Sequence, residues 1–333
     1  MRARRVYDTL AISAKKKLVA LPSDLSEPEL GLDSNTYNTL TSELTDVIHC
    51  AWSVNFNLHL SSFEKDNIAG LKNLANLCLK AQRPTPATLN FCSSISAVAR
   101  TAESLVPEAL PSKLEYVQPM GYAQSKLVAE HLCIKAAQQT GIQSRVLRIG
   151  QVIGDTDHGI WNTTEAIPLM IQAATTIGAL PKLDEYHRWL PVNVVAGIIA
   201  DISLSAADTF KYDASATDAQ PIFNIINSNP FHWARELLPY LRASGLEFEE
   251  IGQRAWIKRL RESNPDPVAN PPIKLVDFFA SKYDNDIPKS PIGWATEKTA
   301  GASGTFVTEA KNLDLEMVGK MIKYFRGPEG WGK

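Results

Sequence analysis

The chain has 333 residues, 44% of them apolar, and a formal net charge of −2 at pH 7. That allows one large core, or a domain plus an appended lobe, and leaves no basic footprint for nucleic acid. The four cysteines (Cys50, Cys78, Cys92 and Cys133) lack metal-ligand spacing and read as buried small hydrophobes in a reducing compartment. The basic start has no apolar run behind it, and no stretch approaches a membrane span. A soluble, cytoplasmic protein with no metal is expected.

In chain order, residues up to 16 read as the end of a helix, with Val6, Leu10 and Ile12 among basic residues. Residues 17–21 form an apolar run that predicts a strand ending at Pro22-Ser23-Asp24-Leu25. A helix over 37–44 and a buried strand over 46–51 follow, then a long helical pattern from Phe63 to Leu79, broken by Pro84 and Pro86. The third strand, 88–94, enters the turn Ser93-Ser94-Ile95-Ser96. A helix from Tyr122 to about Thr140 is closed by Gly141, and 144–149 is a fourth strand. Strands alternating with helices imply a parallel sheet covered on both faces. Ligands of such sheets sit outside the carboxyl ends of the strands, here at Asp24-Leu25, Cys50-Ala51-Trp52, Ser93-Ser94 and Gly150-Gln151-Val152. From about Gly154 the pattern changes. Helices are expected over 165–178, 193–205, 232–244, 254–262, 273–283 and 313–325, and strands over 221–227 and 248–251, divided by proline-rich links.

Within this order, Tyr122 and Lys126 stand four apart on one helix face. Such a pair on an exposed helix is ordinarily solvated. Near a strand end it suits hydride chemistry, because a carbonyl that receives hydride becomes an alkoxide and needs a proton. A phenol with a pKa of about 10 is a poor acid at neutral pH, and a nearby ammonium favours the phenolate. The expectation is therefore Tyr122 as acid, tuned by Lys126. Of the nine tyrosines, only Tyr122 has lysine at the fourth position. Ser94 lies where it could meet Tyr122 above the sheet, although a turn serine capping its neighbours is an equal reading.

The chain also carries, in order, Leu-Pro-Ser-Asp-Leu-Ser-Glu-Pro-Glu-Leu-Gly-Leu (21–32), Asp-Val-Ile-His-Cys-Ala-Trp-Ser-Val-Asn-Phe (46–56), Gly-Tyr-Ala-Gln-Ser-Lys (121–126), Arg-Ile-Gly-Gln-Val-Ile-Gly (148–154), Gly-Ile-Trp-Asn-Thr-Thr-Glu (159–165) and Trp-Leu-Pro-Val-Asn (189–193). This ordered series resembles the extended branch of the short-chain dehydrogenase/reductase superfamily. More narrowly, it is similar to the thioester reductase domains of non-ribosomal-peptide-synthetase-like adenylate-forming reductases, aminoadipate reductases and carboxylic acid reductases.

The resemblance implies a Rossmann-like, doubly wound parallel α/β sheet with a smaller, mostly helical C-terminal substrate lobe. Its division would be a cofactor-binding part over 1–155 and a mixed region over 156–333, with sheet elements returning at about 190–227. It implies NADPH as hydride donor and, as substrate, a phosphopantetheinyl acyl thioester on a carrier domain, reduced to an aldehyde or alcohol. Carried over position by position, Ser94, Tyr122 and Lys126 would be catalytic. Asp24, Leu25, Ala51, Trp52, Asn67, Ile149 and Val152 would meet the cofactor, and Trp161, Asn162 and Thr163 the substrate. Departures are Cys50-Ala51-Trp52 where relatives more often carry Asn-Ala-Ala, Ile149 where many carry proline, and Asn193 where the word usually ends in aspartate. The family's opening strand, glycine-rich turn and helix have no counterpart, the first glycine being Gly31. The chain is therefore expected to begin inside the domain, after its second strand. The other readings are a non-catalytic interaction module and a small-molecule oxidoreductase or epimerase.

Overall fold

In the computed structural model, which describes residues 6–205, 220–285 and 292–331, four apolar runs form a parallel sheet in sequence order. Helix α1 (Ser34–Glu43) is started by Asp33, whose carboxylate accepts from the N–H groups of Asn35 and Thr36, donors that a helix start leaves open. It leads to β1 (Asp46–His49). Helix α2 (Ala69–Leu79) then leads to β2 (Thr88–Ser94), and α3 (Gly121–Thr140) to β3 (Ser144–Ile149). β4 (Ile222–Ile225) forms the far edge of the sheet. The ladders pair His49 with Phe91, Ser94 with Ile149, and Ile149 with Ile225. Among the described residues β1 has a ladder partner on one side only, and its Ile48 is 41% exposed.

Side chains alternate across a strand, and β3 shows what covers each face. Val146 joins Leu71, Leu74 and Leu77 of α2 and Ala129, Cys133 and Ile134 of α3 in one buried cluster. Arg145 points the other way, donating to the carbonyls of Ile202 and Ser203 (2.7 and 2.9 Å) at the end of helix Val192–Leu204. Its cation meets carbonyls that a helix end leaves unpaired. Helices therefore cover both faces, as the alternation of elements implies.

Two glycines fix the ends of α3. A Cβ on Gly121 would lie 2.2 Å from the Leu58 carbonyl oxygen, so the helix starts against backbone that no side chain can displace. Gly141 ends it at φ 74°, a left-handed conformation that glycine adopts without cost.

The run at 17–21 is not a strand, contrary to the sequence reading. A strand persists only where a neighbour takes up its N–H and C=O groups, and among the described residues none lies beside it; Leu18, Val19 and Leu21 are exposed. Of the expected N-terminal helix, residues 1–5 lie outside the described residues, and the remainder is two short turns, Val6–Thr9 and Ile12–Lys15.

By contact density the chain divides into two units. One comprises Met1–Ile149, Ile198–Ile225 and Trp294–Gly304 and carries the sheet; the other comprises Gly150–Gly197, Ile226–Gly293 and Thr305–Lys333. The second has its own core around Trp161, Trp189, Trp233, Trp256, Phe279 and Phe325. Helices Ala166–Thr176, Gln253–Arg261, Val276–Tyr283 and Leu315–Arg326 build it, with Glu249–Ile251 paired in parallel on Ala179–Pro181. The helix expected over 232–244 comes in two pieces, a wide turn Trp233–Leu237 and then Leu238–Ala243. Pro239 lies just inside the second piece, where its missing N–H interrupts the helical ladder. No helix among the described residues is long and apolar enough to cross a membrane.

Candidate active site

Strand β2 and helix α3 bring Ser94, Tyr122 and Lys126 to the carboxyl end of the sheet. Ser94 is the last residue of β2, facing Ile149 in the ladder, and its Oγ accepts from the N–H and hydroxyl of Ser96 (3.2 and 3.0 Å). Tyr122, in the first turn of α3, is half-buried, with Phe56 edge-on to its ring at 5.3 Å. Burial pushes its phenol above the ordinary tyrosine value, and a hydrogen bond with Ser94 partly opposes this. The sequence reading had Lys126 lowering that pKa. The direction is the reverse, because burial of the phenol outweighs its hydrogen bond with Ser94.

Lys126 is 3% exposed. Its Nζ donates to the Cys92 carbonyl at 2.6 Å and sits 4.3 Å from the ring centre of Trp52, 4.7 Å from that of Phe91 and 5.9 Å from that of Tyr122. A desolvated cation is stabilised by such electron-rich faces. Burial still lowers its pKa to about 8. Trp52 is held over it by a 3.1 Å hydrogen bond from its indole N–H to Ser125 Oγ. Asn67 secures the same loop, accepting from the Ser53 N–H at 2.8 Å and donating to its hydroxyl at 3.2 Å. Ala51 is exposed beside them. His49, packed against Trp52 and Phe91, is pulled down to about 4 by burial and by the Lys126 charge, and is neutral at ordinary pH.

Asp24 and Leu25 do not end a strand. They lie in a loop tied to α2, where Asn73 Nδ2 donates to the Leu25 carbonyl at 2.9 Å. The Asp24 carboxylate is exposed and accepts from the N–H and hydroxyl of Ser26 (2.9 and 2.7 Å), which lowers its pKa.

Val152, Trp161, Asn162 and Thr163 belong to the second unit. Val152 starts a two-residue strand on Leu190–Pro191. Trp161 is 3% exposed, packed on Trp189 and Phe325, with its indole N–H donating to Glu165 at 3.0 Å. This leaves Asn162 and Thr163 as the loop's solvent-accessible groups among the three. Nearby, Asp155, Asp157 and His158 bring ligand-type atoms within 4.8 Å of one another, but Asp155 already accepts from the N–H groups of Asp157, His158 and Ile160 and so reads as the organiser of a turn.

The sequence reading missed what lies beneath Ser94, Tyr122 and Lys126. Glu130, one turn beyond Lys126, is fully buried with Arg148 at 2.7 Å. Ser93, next to Ser94, donates to Glu130 Oε1 at 2.6 Å. Two arginines in the otherwise apolar strand 144–149 were the available signal, since buried cations need built partners. Also missed was Cys50, which is exposed rather than buried, its Sγ 3.3 Å from that of Cys92.

A parallel sheet wound on both faces, with polar side chains gathered at its carboxyl ends, is the nucleotide-binding class of α/β fold. The chain belongs to the NAD-binding family described as Male sterility protein, whose model matches residues 1–199. It is 31% identical over 287 residues to the adenylate-forming reductase Nps10 of Heterobasidion annosum, an alignment covering 83% of this chain and 25% of that protein. The chain thus spans about a quarter of that relative's length. Its fold is similar to that of the terminal R domain from the myxalamid PKS-NRPS biosynthetic pathway, with a TM-score of 0.79 at 22% identity, covering 96% of this chain and 78% of that one. It is also similar to a thiolation-reductase di-domain from an archaeal non-ribosomal peptide synthetase, with a TM-score of 0.68 at 17% identity, covering 96% and 65%.

Proposed function

We propose that the chain reduces an acyl thioester, carried on the phosphopantetheine arm of a carrier domain, to an aldehyde or alcohol with NADPH. Residues 1–155 serve as the cofactor-binding part and 156–333 as the substrate-binding region. The observation that carries the reading is the meeting of Ser94, Tyr122 and Lys126 at the carboxyl end of the sheet. Family membership and the names of the relatives support a reductase.

The donor set suits the reacting end of a nicotinamide cofactor. Two hydroxyls stand ready for a carbonyl oxygen, and an ammonium stands one helical turn away for ribose hydroxyls. A glycine-rich turn for the pyrophosphate is not among the described residues. When bound, the reduced cofactor supplies hydride to the thioester carbonyl carbon. Ser94 and Tyr122 hold the carbonyl oxygen, and Tyr122 gives its proton to the alkoxide that develops there. The hemithioacetal then releases the thiol and leaves the aldehyde. A phenol raised by burial stays protonated at neutral pH, as an acid in this step must. With a pKa of about 8, Lys126 keeps its charge at pH 7 and holds positive potential beside the forming oxyanion.

Calorimetry with NADPH, paired with turnover of an acyl-pantetheine thioester, tests this. Wild type and Tyr122→Phe should both bind saturably, and the variant should lose about 10²–10⁴ in turnover, the usual worth of a positioned acid. No binding at millimolar cofactor overturns the proposal in favour of a non-catalytic interaction module.

A further inference from the structure

Cys50 and Cys92 stand side by side at the carboxyl ends of neighbouring strands, with their sulfur atoms 3.3 Å apart. Their backbones follow directly on the His49–Phe91 pair of the parallel ladder. Neighbouring strands run about 4.8 Å apart, inside the ~4.4–6.8 Å between Cα atoms that disulfides span. Cys50 lies one residue beyond the last paired position of β1, so its backbone can turn without breaking a ladder hydrogen bond. The two thiols differ in access: Cys50 is exposed and Cys92 is 5% exposed. An accessible first sulfur backed by a sheltered second one is the arrangement of an attacking and a resolving thiol. Lys126, bonded to the carbonyl of Cys92 itself, places a cation beside both.

We propose that Cys50 and Cys92 form a reversible thiol–disulfide site at the edge of the Lys126 pocket, oxidised by small-molecule disulfides such as glutathione disulfide. The Cys50 thiolate attacks one sulfur of glutathione disulfide, the S–S bond breaks, and a glutathione thiolate leaves. Cys92 then attacks the Cys50 sulfur and expels the second glutathione, its proton passing to the leaving thiolate. Two protein thiols are oxidised, one small disulfide is reduced to two thiols, and no further reactant is needed.

The hydrogen bond from Cys92, and secondarily the Lys126 charge, lower the Cys50 thiol to about 7, which supplies thiolate at neutral pH. Cys92 is itself raised, first by its bond to Cys50 and then by burial, and reacts only once Cys50 carries the glutathione; Cys78 and Cys133, raised to about 12 by burial, act as internal controls. Drawing the sulfurs from 3.3 Å to bonding distance pulls Cys50 toward β2 and moves Ala51 and Trp52 with it. The oxidised form therefore reshapes the cover of Lys126, a consequence for catalysis that rests on the proposed function.

The test treats the full chain with excess glutathione disulfide, followed by thiol counting and peptide mapping by mass. Two of the four thiols should be lost, in a linked peptide pair holding Cys50 and Cys92, and dithiothreitol should restore them. Cys50→Ser should retain all its thiols, and Cys92→Ala, or Cys92→Ser should the former not fold, should stop with glutathione on Cys50. A wild-type chain that keeps all four thiols, or carries glutathione stably on Cys50, overturns the proposal. The crosslink is scored without turnover, so its failure and failure of the reductase reading are distinguishable.

Discussion

Of the cations buried in the sheet unit, Arg148 and Lys126 are satisfied in opposite ways. Arg148 meets a full carboxylate: its Nε and Nη2 atoms reach both oxygens of Glu130, and its Nη1 reaches the Pro107 carbonyl. Lys126 has one carbonyl and the faces of aromatic rings. A bidentate ion pair in a dry interior fixes geometry and leaves little to adjust. A cation held by a dipole and π faces stays easier to discharge and freer to take another partner. Fixed charge thus lies beneath the site, and adjustable charge lies within it.

The largest effect that would break this contrast is at the fixed pair. Arg148→Met alone should cost about 3–5 kcal/mol in urea unfolding, because Glu130 is left buried and unpaired, whereas Glu130→Leu with Arg148→Met should restore most of that loss. Equal costs for single and double variants would show that Glu130 is satisfied without its partner. At the adjustable cation, Lys126→Met should lower thioester turnover about a hundredfold while leaving stability level or higher. A loss of stability like that at Arg148 would erase the distinction.

The pH dependence of stability sharpens the same point. Burial brings Lys126 to about 8 in the folded chain, against about 10.4 when unfolded. Between these values the unfolded chain binds more protons, so the residue's contribution to stability rises with pH across that window and is flat below it. Wild type should therefore gain on Lys126→Met in urea midpoint from pH 8 to 10; a constant gap would refute the assignment. The smallest effect is at Trp52→Leu, which removes one aromatic face and should cost about 0.5–2 kcal/mol. It should also lower the Lys126 pKa further, visible as an earlier onset of the same pH dependence.

These particulars show what the sequence makes legible. The strands of the sheet are short, apolar-rich runs set between helical patterns, and Tyr122 and Lys126 share a face by helical spacing alone, so both could be read locally. The run at 17–21 is equally apolar, but a strand is a property of its neighbours, and no local pattern reports whether one is present. Trp52 over Lys126 was beyond reach for a similar reason: the lysine's partner is set by which strand end lies next to α3. Burial of the phenol sets the direction of the Tyr122 shift, and helical spacing alone does not report how much of the ring is covered. Arg145 and Arg148, conspicuous on an apolar strand, could have announced buried partners; only the fold shows that one faces a helix end and the other a carboxylate.

The half-paired strand β1 bears on how the protein behaves in a tube. Among the described residues no strand pairs with its second side, and Ile48 beside it is exposed, the combination that recruits a further strand by edge-to-edge pairing. Ile48→Lys should then raise the protein concentration at which light scattering reports association.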